Sequence, residues 1–275
     1  MGAGERPAVE RLDQHLVRRG LFGTRSQAAA AILAGEVAVE GRARPKPGDP
    51  VRGEPAVTLR RAPRYASRGG LKLEAALESW PVPVQDAVCA DLGASTGGFT
   101  DCLLQHGARR VYAVDVGYGQ LAARLRDDPR VVVMDRTNAR HLGAGALPER
   151  VGLVTADLAF ISLTKVAPSM VALLAPGGQV VCLVKPQFEA GPARVGRRGV
   201  VRSPAVWREV LAAVGAALGA SGLATRAIAP SPLLGPEGNV EFLLWAALGD
   251  RPGAAGAPAA EVERAVGQAV DRGRP

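Results

Sequence analysis

Lysine is scarce in this chain. Of 34 Lys and Arg residues only four are lysines, Lys46, Lys72, Lys165 and Lys185. A desolvated ammonium can surrender its proton and a guanidinium effectively cannot, so each lysine marks a place where proton chemistry is open. Lys185 follows Val181, Leu183 and Val184 in "VCLVKPQFE", an apolar setting that favours the neutral amine. Lys72 sits in "SRGGLKLEAAL", Asp157 in "TADLAF" and Glu241 in "GNVEFLLW", each at the edge of an apolar run. Two amines and two carboxylates brought together could orient a hydroxyl and remove its proton. The plainer reading is a pair of salt bridges at a sheet edge; Lys46 and Lys165 have no comparable surroundings.

A second constellation points to a nucleotide. "VCADLGASTGGFT" is a strand ending in Asp91, a turn of small residues (Gly93, Ala94, Ser95, Gly97, Gly98), and a helix start. Small residues let backbone approach a ligand closely. The spacing Gly93-x-Ser95-x-x-Gly98 departs from the G-x-G-x-x-G of dinucleotide sites, and Asp91 suits the amino-acid part of S-adenosylmethionine better than a pyrophosphate. Asp115 closes "VYAVD", where a carboxylate can accept both ribose hydroxyls. Asp135 closes "VVVMD", where it can accept the adenine amino hydrogens. One Asp at a strand end is ordinary turn chemistry. Three at the carboxyl ends of successive parallel strands would face one crevice.

The elements that must position these residues follow from the pattern. Strands are expected at 84–91, 111–115, 131–135, 151–157 and 180–185, with helices at 97–107, 119–127, 163–174 and 203–221. Such alternation implies an α/β domain with a mostly parallel sheet. Strands 223–228 and 240–247 have no helix between them and are expected to be antiparallel, which would carry Glu241 to the edge where the other strands end. Ahead of this domain, residues 9–62 read as two short helices and a hairpin, with Gly20 and Gly35 ending the helices. Residues 60–68 read as a linker, and 251–260 as a tether to a terminal helix.

Composition narrows the classes. Residues 1–64 hold 12 Lys and Arg against 7 Asp and Glu, so this short part carries most of the net charge of +8. That suits nucleic acid, with Arg18, Arg19 and Arg25 as phosphate contacts. There is no uncharged apolar stretch of about 18 residues and no secretory leader, so a cytoplasmic chain is expected. Cys89, Cys102 and Cys182 are far apart, which argues against a zinc site, and no metal is expected.

The strings "LVRRGL", "SRGGLKL", "DLGASTGGFT", "DVGYGQL", "DPRVVVMDRTNAR", "ADLAFISL", "LVKPQFE" and "GNVEFLLW" together resemble the TlyA family. The resemblance implies a small α+β S4-type RNA-binding domain over residues 1–60 and a linker over 61–68. It further implies a Rossmann-like, FtsJ/RrmJ-like methyltransferase domain over 69–249 with a mostly parallel seven-stranded sheet, then a tether and short helix over 250–275. By similarity Lys72, Asp157, Lys185 and Glu241 match the family's catalytic tetrad. Asp91, Gly93, Ser95, Gly97, Asp115, Asp135 and Asn138 match its S-adenosylmethionine pocket, with Asp135 where members often carry Glu. Arg11, Arg25 and Lys46 match its RNA-binding positions, and Arg136 and Arg140 would extend that surface. The linker "RYAS" departs from members that carry Trp. The implied activity is 2′-O-methylation of cytidine in 16S and 23S rRNA of ribosomal subunits, which favours capreomycin sensitivity. Three other readings compete: a cytolysin, since members have been labelled haemolysins; a non-catalytic RNA-binding protein; and a small-molecule methyltransferase.

Overall fold

A computed structural model describes residues 9–33, 35–59, 64–249 and 257–272. The chain divides into two compact units, Met1–Arg64 and Tyr65–Pro275. Residues 60–63 of the expected linker and 250–256 of the expected tether lie outside the described residues.

The front unit runs β1 (Val9–Arg11), α1 (Leu12–Arg18), α2 (Arg25–Leu33), β2 (Val37–Val39), β3 (Pro50–Arg52) and β4 (Val57–Leu59). Leu12, Leu16, Ala28, Ile32, Val37, Val39 and Val51 form its core. The two helices are followed by Gly20 and Gly35, both at positive φ, as the glycine positions imply. The expected hairpin closes as a single antiparallel bridge, Val39 to Arg42 across the Glu40-Gly41 turn, and not as a pair of strands. β3 pairs with β1 and β2 pairs with β4, both antiparallel. β1, "VER", carries two charges and no alternating pattern, so nothing local announces it. The turn before β3 is held instead by α1, whose Leu12 and Asp13 amides donate to Asp49 O and Pro47 O.

The second unit begins with α3 (Gly69–Ser79), then β5 (Val88–Leu92), α4 (Gly98–Gln105), β6 (Arg110–Val114), α5 (Ala123–Arg126), β7 (Val131–Met134) and β8 (Val151–Ala156). It continues with α6 (Ala167–Leu173), β9 (Leu174–Val184), α7 (Pro186–Glu189), α8 (Pro204–Ala220), β10 (Leu223–Pro230), β11 (Phe242–Leu248) and α9 (Ala259–Asp271). The seven strands lie in the order β10-β11-β9-β8-β5-β6-β7. All pairs from β9 to β7 are parallel, and β11 is antiparallel to both its neighbours. Both sheet faces are covered, so the strands are nearly continuous apolar runs. Ala90, Leu92, Val154 and Val184 pack with Met170, Trp207, Leu211 and Val266 of α6, α8 and α9. Cys89, Val111, Leu153 and Val181 face Leu73, Phe99 and Leu103 of α3 and α4.

Two features of this order place the site. β5 lies between β8 and β6, so chain connections diverge there and leave a crevice at the carboxyl ends. The register Phe242↔Val184 then sets Glu241, just before β11, beside Lys185, just after β9.

Candidate functional site

The loop from β5 to α4 has unusual backbone. Gly93 and Gly97 lie at φ 84° and 96°, and Ser95 at φ 49°, a left-handed conformation rarely adopted by a residue with a side chain. A Cβ at Gly93 would stand 2.6 Å from the carbonyl oxygen of Asp157, and one at Gly98 would stand 2.9 Å from the Gly70 amide. Glycine is therefore required where the loop is wedged between the end of β8 and the start of α3. Asp115, after β6, ties the loop down: its carboxylate accepts from the Ser95 amide at 2.8 Å and the Gly117 amide at 2.7 Å.

Three cavities meet over this edge of the sheet. One of about 300 Å³ is lined by Asp115, Val116, Thr137, Asn138, Ile161 and Val166, together with Gly93 and Ser95. A second, about 450 Å³, shares Gly93, Ser95 and Asp157 and adds Lys72, Ala94, Gly98, Phe99 and Lys185. A third, about 520 Å³, lies past Lys185 and includes Phe160, Gln187, Phe188, Asn239 and Glu241.

Lys72, Asp157, Lys185 and Glu241 come together here as two ion pairs. Lys72, buried on α3, donates through Nζ to Glu241 Oε2 at 2.5 Å. Lys185 Nζ stands 2.6 Å from Asp157 Oδ1. The Lys72–Glu241 pair is almost fully enclosed, while Lys185 and Asp157 keep some exposure toward the cavities. The Lys185 ammonium also lies 5.9 Å from the Phe188 ring centre.

Other expected residues stand differently. Asp91 is wholly buried and lines none of the three cavities. It accepts from Thr100 Oγ1 at 2.7 Å and Thr155 Oγ1 at 3.1 Å, joining α4 and β8 beneath the loop. Burial pushes its carboxyl up to about 6, partly offset by those two hydroxyls. Asp135 accepts from the Gly119 amide at 3.0 Å and lies 3.5 Å from Arg126, and it too is outside the cavity linings. Asn138 lines the smaller cavity while its Oδ1 accepts from the Arg140 amide. Gly97 supplies the left-handed turn into α4.

The basic residues divide sharply. Arg11 pairs with Asp13 at 2.9 Å, and Arg25 approaches the same carboxylate at 3.5 Å. Arg18 bridges Glu10 and Glu54 at 2.8 and 2.7 Å, and Arg19 stands 3.7 Å from Glu54. Hydrogen bonds from Arg18 and His15 hold Glu10 below the usual carboxylate range. In contrast, Lys46, Arg136 and Arg140 make no ion pair among the described residues, and Arg136 lies over the Tyr118 ring at 4.4 Å.

Sequence reasoning missed several participants. Thr100 ends "VCADLGASTGGFT" and Thr155 opens "TADLAF", yet nothing in either string marks them as partners of Asp91. Phe160 is 92% exposed at φ 62°, packed against Phe188 with ring centres 5.1 Å apart. Positive φ at an aromatic residue leaves no trace in composition. Glu189, in the "KPQFE" string, accepts from Ser162 Oγ and the Leu163 amide, and burial raises its pKa.

With this geometry in hand, likeness to known proteins decides the family. The FtsJ-like methyltransferase profile matches residues 65–248 and the S4 domain profile matches 10–55. The 16S/23S rRNA (cytidine-2′-O)-methyltransferase TlyA of Mycobacterium tuberculosis is 48% identical over 239 residues, 86% of this chain and 88% of that protein. This chain belongs to the TlyA family of FtsJ-like methyltransferases. Hemolysin A of Brachyspira hyodysenteriae, a further relative, is 36% identical over 85% of this chain and 98% of its own length. A solved structure from Streptococcus thermophilus, bearing a provisional hemolysin name, superposes with TM-score 0.74 at 40% identity, covering 97% of both chains. The family accounts for the two units and for a mostly parallel seven-stranded sheet. Among the described residues no helix is long and apolar enough to cross a membrane.

Proposed function

We infer that this enzyme uses S-adenosylmethionine to methylate the ribose 2′-hydroxyl of cytidine in ribosomal RNA, in the cytoplasm, on 16S, 23S or both within ribosomal subunits. The observation that carries this reading is the meeting of two lysine–carboxylate pairs at the junction of the three cavities. The donor set of the smaller cavity fits the cofactor. Asp115 offers a carboxylate to vicinal ribose hydroxyls, and Val116, Ile161 and Val166 offer an apolar slot for a purine. Gly93 and Gly98 leave backbone bare beside the adjoining cavity, where an amino-acid tail would lie. When bound, S-adenosylmethionine supplies an electrophilic methyl group on a sulfonium.

The remaining chemistry belongs to side chains. A ribose hydroxyl is a weak nucleophile, and a base at hydrogen-bond distance must take its proton as the bond to carbon forms. Once its ammonium has released a proton to solvent, Lys185 Nζ takes the hydroxyl proton, and Asp157 at 2.6 Å orients the amine and stabilises the ammonium formed again. Lys72, clamped by Glu241, donates to the hydroxyl oxygen and holds it in line. RNA phosphates are met on the second unit by Arg136 and Arg140, and on the front unit by Lys46 and by Arg11, Arg18, Arg19 and Arg25 once their carboxylate partners are exchanged for phosphate.

Substitution at Lys185 tests the assignment. Lys185→Arg keeps charge and reach but cannot shed a proton, so a base is lost and an ion pair to Asp157 is kept. Methyl transfer to ribosomal RNA should fall roughly a hundredfold or more in Lys185→Arg and Lys185→Ala alike. Full activity in Lys185→Arg, with fold and cofactor binding intact, would move Lys185 to electrostatic stabilisation and make Lys72 the next base to test.

A further inference from the structure

We propose that the arginine loop 194–202 is a second RNA grip, one that holds the backbone phosphates flanking the target ribose. This rests on the reading of the site given above, and its observations are independent of the lysine pairs. Val195 and Gly199 of this loop line the same cavity as Lys185 and Glu241. A ribose presented to Lys185 necessarily brings its 5′ and 3′ phosphates to the walls of that cavity.

The loop is built to hold its shape. The Gly196 amide donates to Val200 O at 3.1 Å and the Gly199 amide to Gly196 O at 3.1 Å, closing a tight turn. Asn239, itself buried, staples the turn from across the cavity: its Oδ1 accepts from the Val201 amide at 2.9 Å and its Nδ2 donates to Gly199 O at 2.9 Å. At the tip stands Arg198 at φ 63°, a conformation that favours glycine. Gly199, the next residue, also has positive φ, so the turn already holds one glycine and carries a cation where a second would be easier. Strain retained at an exposed charged residue beside a catalytic cavity is the pattern expected of a functional position.

The charge at this turn is available. Arg194 is paired with Glu209. Arg198 and Arg202 are exposed and make no ion pair among the described residues. Two cations without counter-charges, on a stapled loop at the cavity that would take the acceptor, fit a polyanion backbone. They read no base.

The test uses the full-length protein with 30S and 50S subunits, and with extracted ribosomal RNA, from cells lacking the gene. In Arg198→Ala/Arg202→Ala the KM for the RNA substrate should rise about tenfold while kcat at saturation and cofactor affinity stay as in the unaltered protein. The slope of log affinity against log salt should flatten by about 1.5, the share of two phosphate contacts. Arg198→Lys should keep the slope. Arg198→Gly should melt no lower than the unaltered protein yet bind RNA more weakly, separating strain from charge. Unchanged KM and salt slope in the double variant would overturn the proposal. If the unaltered protein transferred no methyl to ribosomal RNA, the proposed function would fail, while the salt slope on extracted RNA would still decide whether this loop grips phosphate.

Discussion

The front unit and the cavity edge of the methyltransferase unit use charge in opposite ways. In the front unit exposed arginines sit on carboxylates that are exposed or half-exposed at Glu54 and Glu10 and buried at Asp13. Four of its acids titrate low: Glu10 and Glu54 through Arg18, Asp13 through Arg11, and Asp49 through the Lys46 amide. At the cavity edge the Lys72–Glu241 pair is enclosed, and the acids buried near the site, Asp91 and Glu189, titrate high because they are desolvated. Away from the cavities, Asp128 and Glu261 follow the front-unit pattern, lowered by Arg130 and Arg264. The difference teaches that a count of basic residues is not a measure of charge open to a polyanion. Surface pairs of this kind are worth little and exchange readily. Enclosed ones fix geometry and are expensive to break.

The largest expected effect breaks an enclosed pair. Lys72→Met leaves the Glu241 carboxylate buried without its cation, which should destabilise the protein by about 3–5 kcal/mol in denaturant unfolding. Glu54→Gln, in the exposed network, should leave the unfolding midpoint where it is. A similar loss in both would erase the contrast.

Next in size is a pH signature. Asp91 has a folded pKa of about 6 against an ordinary value of 3.8, so the folded state holds the extra proton between those values. Stability from this group is present below that window and lost as pH rises through it, a total on the order of 3 kcal/mol. The lowered acids of the front unit act with the opposite sign, losing stability as pH falls through their pKa values. Asp91→Asn should therefore gain on the unaltered protein between about pH 4 and 6 and run parallel above it. Parallel curves throughout would mean that Asp91 is not desolvated.

A third effect separates cofactor from scaffold. Asp115→Ala removes the cavity carboxylate and one anchor of the loop, and a charge-assisted hydrogen bond of roughly 1.5–3 kcal/mol makes a tenfold or larger loss of S-adenosylmethionine affinity. Calorimetry that returned unchanged affinity in the folded variant would remove Asp115 from the site. The smallest effect concerns RNA. Arg136→Ala/Arg140→Ala should weaken RNA binding more than Arg11→Ala/Arg18→Ala, because only the first pair lacks carboxylate partners among the described residues. The reverse order would show that the front-unit pairs open fully for phosphate.

Much of this site was legible because strand ends are legible. Asp115 and Asp157 close apolar runs, and Glu241 follows from two strands joined without a helix, so topology alone brought Lys185 and Glu241 to one edge. What stayed hidden depends on tertiary proximity. Arg18 meets Glu54 across 36 residues, and no local pattern distinguishes it from Arg140, which makes no ion pair among the described residues. Asp91 has the sequence position of a ligand, yet two threonines from α4 and β8 occupy its carboxylate. β1 was invisible because its pairing is backbone alone.

The central claim is that the junction of these cavities moves a methyl group onto a ribose 2′-hydroxyl of ribosomal RNA. The direct measurement is to incubate the purified protein and tritiated-methyl S-adenosylmethionine with subunits from cells lacking the gene, then map methylated riboses in the recovered RNA. Label on the 2′-oxygen of a cytidine, absent with Lys185→Ala, is the predicted result. Label on a base or on no RNA at all, from protein that binds the cofactor, would contradict it.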